Sequence, residues 1–366
     1  MMIDDISDRP GLMIRILLLT LLAAVFSRPV SGSTLEELLN EPYFDRSDIK
    51  AVRKGGFGVA KVSEVSDREL AVAIACLARV PAEQALAPFL ADTLPVDESL
   101  LIDQRLIDPE TSAASFAEIS LDSVDEREIR YFLEAHPGFG LNLSQDEIVA
   151  FQALRDGGSP AAVETTLEEI LHARYRAYRE GGLAGAIPYA RKDGDHVSPG
   201  EELRRTEEAM NGLHELYPDF HDAWLSYPSS IPEDIVRDDY FWLKLDVEDR
   251  PTFVLSHRLE ARNEDMHLVG VRDFYMSHFF DVSQRVAAVT RLDSGENLLI
   301  YVERAWVDYW TGLASIKRKI GRKVLTKQME HLLEDRGICG DRKSTRLNSS
   351  HRCIAYAVFC LKSGGG

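Results

Sequence analysis

A series of strand-like segments between residues 236 and 307 is the feature that most constrains the fold of this chain. Phe241, Leu243 and Leu245 occupy every second position, and the same alternation recurs over residues 252–259. A period of two places apolar side chains on one face of a β-strand. Three further segments of this kind lie at 266–282, 284–292 and 297–307. The sequence therefore predicts consecutive antiparallel strands in this part of the chain.

One amphipathic helix is predicted directly after these strands. Over residues 313–335, apolar side chains recur at three- and four-residue spacing, as on one face of an α-helix. They are Leu313, Ile316, Ile320, Val324, Leu332 and Leu333. Strands that follow one another along the chain and are then covered by a helix are typical of α+β proteins. We therefore predict an α+β fold with an antiparallel sheet and a long C-terminal helix.

The residues before the predicted sheet divide into two segments. In the first, strand-like runs over 59–65 and 70–80 lie between helices predicted to begin at Thr34 and Pro81. The second is polar, and a helix over about 160–180 is predicted there from apolar side chains at helical spacing. The resulting segments are 33–111 with a helix, strands and a second helix, 112–235 as a helical insertion, and 236–340 with the sheet and the C-terminal helix.

Residues 1–32 have the features of a secretory signal peptide. An apolar run over 16–26 follows a basic residue and precedes the small residues Ser31 and Gly32. The run is shorter than the roughly 17 residues needed to cross a bilayer, so we expect cleavage and no permanent anchor. An acidic stretch precedes Met13, which is an alternative start of the chain. We therefore predict export to the periplasm or secretion.

Two cysteines lie in the part of the chain that we expect to fold, Cys76 and Cys339. An exported chain can form a disulfide between them. Cys76, however, lies in the apolar run 70–77, where a free buried thiol is the more common arrangement. We therefore expect a free thiol at Cys76 and keep its pairing with Cys339 as the alternative.

The last residues of the chain resemble the conceptual translation of a sequencing adapter. The runs 341–351 and 354–362 carry the resemblance, and only Ala355 departs from it, where Ser is usual. We therefore expect residues 341–366 to be no part of the fold, as is the case for a fusion scar. On this interpretation the true C-terminal sequence beyond about Gly340 is missing.

The chain is strongly acidic. Its 60 Asp and Glu residues against 42 Lys and Arg give a net charge of −18, which argues against a general nucleic-acid binder. The predicted C-terminal helix is an exception, because it carries a run of cations without an acid among them. They are Lys317, Arg318, Lys319, Arg322, Lys323 and Lys327. Two interpretations remain open, contact with anionic lipid headgroups at a membrane surface and ion pairs with the protein's own glutamates.

The order of the predicted elements resembles the helix-grip fold of START-like and polyketide-cyclase-like proteins. A strand that runs into Val80 and a helix, later antiparallel strands and a closing amphipathic helix carry the resemblance. It implies a sheet that curves around the last helix and leaves an apolar cavity. The wider superfamily uses this cavity for lipids, sterols and other hydrophobic molecules.

Four stretches are similar in sequence to a broad group of exported bacterial proteins with no assigned function. They are residues 117–122, 136–143, 174–189 and 275–280. The similarity spans most of the mature chain. It implies export, and it implies no catalytic residue.

Polar and aromatic side chains are interleaved over residues 272–284, which is the most suggestive stretch for a binding site. Strict alternation would place Arg272, Phe274 and Met276 on one face of a strand. Buried polar groups here need partners, since leaving one unsatisfied costs about 1 to 3 kcal/mol. The candidate ligand-binding residues are His257, Arg272, Tyr275, His278, Gln284 and Arg304.

Three functions fit these features. The one we favour is binding of an apolar or amphipathic small molecule, such as a lipid, without catalysis. The second is a hydrolase or isomerase that uses His257, His278 and Glu303, and the third is a structural envelope protein. We expect no metal ion, because no H-E-x-x-H motif or closely spaced third ligand accompanies the two histidines. We also expect no cofactor, because the Gly-rich turn 55–58 lacks a phosphate-binding motif.

Overall fold

The computed structural model describes residues 33–39, 43–60, 62–92, 94, 100–121, 126–138, 140–247, 250–264, 266–307 and 314–340. The predicted signal peptide and the adapter-like tail lie outside the described residues. Both therefore stay predictions.

The helices and strands follow the three segments of the chain. The first segment contains α1 (Leu35–Leu38), α2 (Arg46–Arg53), β1 (Gly58–Ala60), β2 (Glu69–Ala78), α3 (Ala82–Leu90) and β3 (Leu101–Ile107). The second contains α4 (Ser112–Phe116), α5 (Glu126–Leu133), α6 (Gln145–Ala153), α7 (Pro160–Gly185), β4 (Tyr189–Ala190), β5 (His196–Val197), α8 (Pro199–Glu208), α9 (Asn211–Leu216) and α10 (Pro218–Ser226). The third contains β6 (Ile235–Asp246), β7 (Pro251–Arg262), β8 (Met266–Met276), β9 (Phe280–Arg291), β10 (Asn297–Val307) and α11 (Ala314–Asp335).

Eight of these strands form one antiparallel sheet, with the order β1-β2-β10-β9-β8-β7-β6-β3. The strands β6 to β10 are neighbours in chain order, as their alternating pattern predicted. The earlier strands extend both edges, because β2 pairs with β10 and β3 pairs with β6. The prediction of an α+β fold built on an antiparallel sheet is therefore confirmed.

Helices cover both faces of this sheet. One face packs against α3 and α11, and we call it the α11 face. The other packs against α7, α8 and α10, and we call it the α7 face. Strands covered on both sides are buried along their whole length, as in β8, where all 11 residues are buried. Side-chain alternation then decides which of the two helical layers each residue contacts.

Each helical layer has its own apolar core. On the α11 face, Phe89 of α3 and Leu333 of α11 belong to one buried cluster with Val254 of β7. On the α7 face, Leu171 of α7 belongs to another with Trp242 of β6. The helical segment between β3 and β6 thus builds one whole layer of the protein.

Two helices begin where capping boxes predicted them. The Thr34 backbone N–H donates to the Glu37 carboxylate at 2.8 Å at the start of α1. Ser144 and Glu147 make the same reciprocal pair at the start of α6. Each box satisfies backbone N–H groups that a helix leaves free in its first turn.

The register of β8 departs from the strict alternation that the sequence predicted. Pairing with β7 skips Phe274, an irregularity of the β-bulge type. Phe274 and Tyr275 both belong to the core of the α7 face, whereas Met276 belongs to that of the α11 face. Arg272 and Phe274 therefore share one face as predicted, whereas Met276 lies on the other, because the extra residue reverses the alternation after Phe274.

A disulfide joins Cys76 of β2 to Cys339, which follows α11. The expectation of a free thiol at Cys76 is therefore wrong. Cys76 faces the helix because it lies on the α11 face of β2. The chain after α11 returns to this strand, where the Arg79 N–H donates to the Ile338 carbonyl at 2.9 Å. The C-terminal end of α11 is thus attached to β2 by a covalent bond.

Candidate functional site

A pocket of about 150 Å³ lies between α11 and the sheet. Apolar side chains from several strands and from the helix form most of its wall. They include Leu70, Leu243, Val254, Met276, Val324 and Leu325. Gly321 brings α11 close to β2, since a Cβ added there would lie 3.2 Å from the side chain of Leu70. The seating of α11 on the sheet therefore sets the size of the pocket.

A cluster of polar side chains forms one part of the pocket wall. Asp273 of β8 lies at its centre and accepts a hydrogen bond from Ser256 Oγ at 2.6 Å. Ser283 Oγ also donates to Asp273, and Arg285 Nη1 donates to Asp273 Oδ2 at 3.1 Å. Two hydroxyl groups and one guanidinium thus donate hydrogen bonds to this buried carboxylate. The register of the strands positions this cluster, because β7, β8 and β9 each contribute residues to the α11 face.

Glu303 adds a second carboxyl group to this pocket wall. It lies directly opposite Arg285 in the pairing of β9 with β10. The hydroxyl of Tyr301 donates to Glu303 Oε2 at 3.4 Å. Burial raises the pKa of the Glu303 carboxyl above its ordinary value, against the opposing charge of Arg285. The pocket therefore contains a carboxyl group whose protonated form is more favourable than in an exposed glutamate, close to a guanidinium.

One polar atom of this cluster has unused hydrogen-bonding capacity. Within the described ranges, the buried Nε of Arg285 has no hydrogen-bond partner. A buried donor without an acceptor costs about 1 to 3 kcal/mol. Because Arg285 lines the pocket, a bound molecule with an acceptor group would relieve this cost.

Three of the predicted site residues lie together on the α7 face, away from this pocket. Arg272 donates to Gln284 Oε1 at 3.1 Å and to the hydroxyl of Tyr178 at 3.2 Å. Trp224 Nε1 donates to the same Gln284 oxygen at 2.9 Å. The Tyr178 hydroxyl lies 3.0 Å from Nδ1 of His257. Arg272 and Gln284 thus bond to each other, and helices α7 and α10 supply further partners through Tyr178 and Trp224.

This network has the properties of a buried structural core. His257, Arg272 and Tyr178 are all fully buried. Burial lowers the pKa of His257, although Asp238 accepts from its Nε2 at 3.0 Å and opposes this effect. Burial also raises the pKa of the Tyr178 phenol, which disfavours its nucleophilic phenolate form. We interpret the network as a set of hydrogen bonds that holds α7 and α10 on the sheet.

The other predicted residues lie elsewhere. Arg304 forms a buried ion pair with Glu69 of β2 at 2.8 Å. The guanidinium carbon of Arg174 lies over the ring of Tyr275, 4.4 Å from the ring centroid. His278 follows β8, and its ring lies 3.2 Å from the hydroxyl of Thr252. None of the six predicted residues lines the pocket under α11.

The predicted catalytic set is not assembled. His257 is on the α7 face of the sheet, where it contacts Tyr178. Glu303 is on the α11 face, where it lines the pocket. The sheet lies between these two groups, and His278 is bonded to Thr252 at the end of β8. The alternative of a hydrolase or isomerase would be favoured by convergence of His257, His278 and Glu303, and strand alternation instead places the first and the last on opposite faces.

The cations of α11 divide into two groups. Arg318 forms ion pairs with Asp67 at 2.9 Å and Glu64 at 3.4 Å, and Arg322 pairs with Glu64 at 3.1 Å. By contrast, Lys319, Lys323 and Lys327 are exposed and follow one another at four-residue spacing. The side chain of Lys317 lies outside the described residues. The ion-pair interpretation therefore applies to Arg318 and Arg322, and contact of the exposed lysines with lipid headgroups stays a prediction.

Sequence reasoning missed Asp273, Ser283 and Arg285 as site residues. Asp273 lies next to the bulge at Phe274, so a strict period of two gave no reliable face for it. The available signal was the pairing of charges, since Arg285 of β9 and Glu303 of β10 are spaced for direct cross-strand contact.

Comparisons of the chain with protein-family models, with curated proteins and with solved structures found no match. Among the described parts of the chain, no helix combines the length and the apolar character that a membrane span requires.

Proposed function

We propose that this protein binds a small amphipathic molecule in the pocket between α11 and the sheet, without transforming it. The observation that carries the proposal is the composition of the pocket wall, which is apolar except for Gln328 of α11 and the cluster of Asp273, Ser283, Arg285 and Glu303. Small-molecule sites are typically apolar concavities with a few convergent polar groups. The ligand would place its apolar part against α11 and its polar group against the cluster.

The size of the pocket limits the ligand. At about 150 Å³, it is comparable to the engineered cavity of roughly the same volume that holds one benzene molecule. The buried part of the ligand would therefore be a single ring or a short acyl chain. Each methylene group buried there contributes about 0.8 kcal/mol to binding, so a chain of this length needs polar contacts as well.

The polar cluster favours an uncharged head group. Asp273 is already balanced by Arg285 and two serine hydroxyls. A ligand hydroxyl or amide could accept from Arg285 Nε, which has no partner within the described ranges, and donate to Glu303. A charged ligand would need a new counter-ion in a site of low polarity, which is costly.

The arrangement of elements supports a relation to the helix-grip fold. A strand that leads into a helix, β2 and α3, precedes the consecutive strands β6 to β10 and the closing helix α11. The pocket lies between the closing helix and the sheet, where that resemblance implies a cavity. Segment 112–235 would then be the large insertion, and it packs on the opposite face.

We further propose that the protein acts after export, in the periplasm or outside the cell. The signal peptide predicted for residues 1–32 supports this location. The disulfide between Cys76 and Cys339 supports it as well, because disulfides form and persist in oxidising compartments.

Thermal shift and native mass spectrometry of the full chain test the proposal. The probes are 1-hexanol, hexanamide and phenol, with glycerol as a polar control. We expect at least one apolar probe to raise Tm by about 5 °C at saturation, as linkage predicts for a ligand well above its Kd. Native mass spectra should show one bound molecule per chain.

Two variants of α11 locate the binding site. Val324→Phe fills the pocket and should abolish the probe-induced shift, because Val324 forms part of its wall. Ile320→Phe is the matched control, since Ile320 is 42% exposed on the same helix. The proposal is wrong if no probe shifts Tm, or if Val324→Phe responds like the control. The first outcome would favour a purely structural role.

A further inference from the structure

Two histidines and an aspartate meet where α9 is followed by α10, outside the pocket and outside the predicted site. They are His214 of α9 and His221 and Asp222 of α10. One nitrogen or oxygen atom from each lies within 4.8 Å of the others. The two helices turn at Tyr217, which brings together residues that are seven and eight positions apart in the sequence.

The histidine nitrogens that could bind a metal ion both lie near one carboxylate oxygen. His221 Nδ1 lies 3.4 Å from Asp222 Oδ1, and His214 Nδ1 lies 4.0 Å from the same atom. The two imidazole rings are 4.9 Å apart between centroids. Ligands of a tetrahedral Zn²⁺ ion lie about 3.4 Å from one another, given metal–ligand distances of about 2.1 Å. The cluster is therefore close to the size that a metal ion requires.

The orientation of His221 is fixed by the protein. Its side chain is only 8% exposed, and Nε2 lies 3.2 Å from the backbone carbonyl of Glu207. Since a carbonyl oxygen only accepts, Nε2 must carry a hydrogen, and in the neutral ring the lone pair is then on Nδ1. Metal-binding histidines commonly donate their other N–H to a carbonyl or carboxylate in this way. Here α8 supplies this carbonyl.

The other two ligands are free to adjust. The side chains of His214 and Asp222 are 55% and 71% exposed, so small rotations would bring their donor atoms to bonding distance. They would also leave one side of the ion open to water. The acidic balance of the chain, with a net charge of −18, favours the approach of a cation.

We propose that His214, His221 and Asp222 form a binding site for a divalent transition metal ion. Imidazole nitrogens with one carboxylate are the ligands that Zn²⁺ and its neighbours in the first transition series prefer. The ion would bridge α9 and α10 through three protein ligands and complete its coordination with water. This site revises the sequence-based expectation of no metal, which rested on His257 and His278.

Isothermal titration of the tag-free, metal-free full chain with Zn²⁺ tests the site. We expect one ion per chain, and we expect His214→Ala to weaken its affinity at least tenfold. His214 is exposed, so this variant should keep its fold, which circular dichroism verifies. His221→Gln should weaken binding by a similar factor. His196→Ala, at an exposed histidine of β5, is the matched control and should bind as the wild type does.

Electron paramagnetic resonance of the Cu²⁺-loaded chain gives a second readout. Two imidazole ligands produce nitrogen hyperfine structure, which should fall to that of one nitrogen in His214→Ala. The proposal is overturned if the wild type takes up no Zn²⁺ in the titration. It is also overturned if His214→Ala and His221→Gln both bind with the affinity of the wild type, because the ion then lies elsewhere.

Discussion

Glu303 carries an ionisable group in the wall of the pocket, and its burial makes the charged form costly. Burial raises the pKa of this carboxyl, with Arg285 opposing the effect. A group whose folded pKa lies above its unfolded value stabilises the fold at low pH, and this contribution is lost as pH rises through the folded pKa. At neutral and alkaline pH, the ionised Glu303 therefore reduces the stability of the protein.

Glu303→Gln should consequently raise the stability of the protein at pH 8 and change it little at pH 4. Glutamine keeps the size of the side chain and removes the charge. A gain of about 1 kcal/mol would raise Tm by about 2 to 4 °C for a chain of this length. Differential scanning calorimetry at both pH values measures the effect.

Glu296→Gln provides the control for this prediction. Glu296 is exposed in the turn between β9 and β10, so its neutralisation should leave Tm nearly unchanged at both pH values. An equal response of the two variants would show that burial of Glu303 has no special effect. A loss of stability in Glu303→Gln at pH 8 would mean that the attraction between the carboxylate and the charge of Arg285 outweighs the cost of burial.

The polar residues of the α7 face show what sequence can say about a single side chain. The need for partners was predictable for Arg272 and Gln284, because buried polar groups are almost always hydrogen-bonded. Their partners Tyr178 and Trp224 lie on helices distant in sequence. No local pattern identifies such contacts, since they depend on how helices pack on the sheet.

The helix α11 would take part both in binding of a ligand and in contact with a membrane. One side of it covers the pocket, and Arg318 and Arg322 attach it to Glu64. Lys319, Lys323 and Lys327 are exposed. Three lysines near an anionic surface contribute about 1 kcal/mol each to binding. We propose that the side of α11 that carries these three lysines contacts anionic lipid headgroups.

Replacement of Lys319, Lys323 and Lys327 by Gln should weaken binding to phosphatidylglycerol vesicles by about 100-fold at low salt, if each lysine contributes about 1 kcal/mol. Vesicle co-sedimentation measures the binding. Neutral phosphatidylcholine vesicles should bind neither protein, and added salt should weaken the wild type.

Three lysines on another part of the surface serve as the matched control. Lys50, Lys54 and Lys192 are all exposed, and their replacement by Gln makes the same change in net charge. If this variant loses as much binding as the α11 variant, the contact is a general charge effect. If the wild type does not bind anionic vesicles at all, the lipid interpretation of the lysines is wrong.

At the scale of elements, the sequence predicts strands and caps better than register. Alternation identified β6 to β10, and capping boxes identified the starts of α1 and α6. The bulge at Phe274 could not be predicted, because it adds a residue without changing the composition of the strand. It nevertheless moved Met276 to the α11 face, so the alternation predicted for this strand fails after Phe274.

The molecule as a whole is organised around a sheet that the chain completes from both ends. Segments 33–111 and 236–340 both contribute strands to it, and the disulfide between Cys76 and Cys339 joins them. A bridge over 263 residues removes much freedom from the unfolded chain. Bridges typically stabilise a protein by about 2 to 4 kcal/mol.

Replacing both Cys76 and Cys339 by Ser should therefore lower the free energy of unfolding by about 3 kcal/mol. Urea unfolding followed by circular dichroism measures this change. Addition of a phosphine reductant to the wild type should lower its stability to about that of the variant. The same reductant should leave the double variant unchanged, and a wild type that is insensitive to it would contradict the bridge.

The bridge also determines how α11 can move. Covalent attachment at Cys339 fixes one end of the helix to β2, close to the end of that strand. Because this end of α11 is attached, the helix cannot separate from the sheet as a rigid body. Any widening of the pocket would then be a rotation of α11 about its attached end. Exchange of bound molecules would depend on the amplitude of that rotation. Reduction of the disulfide would remove this restriction and allow the whole helix to separate from the sheet.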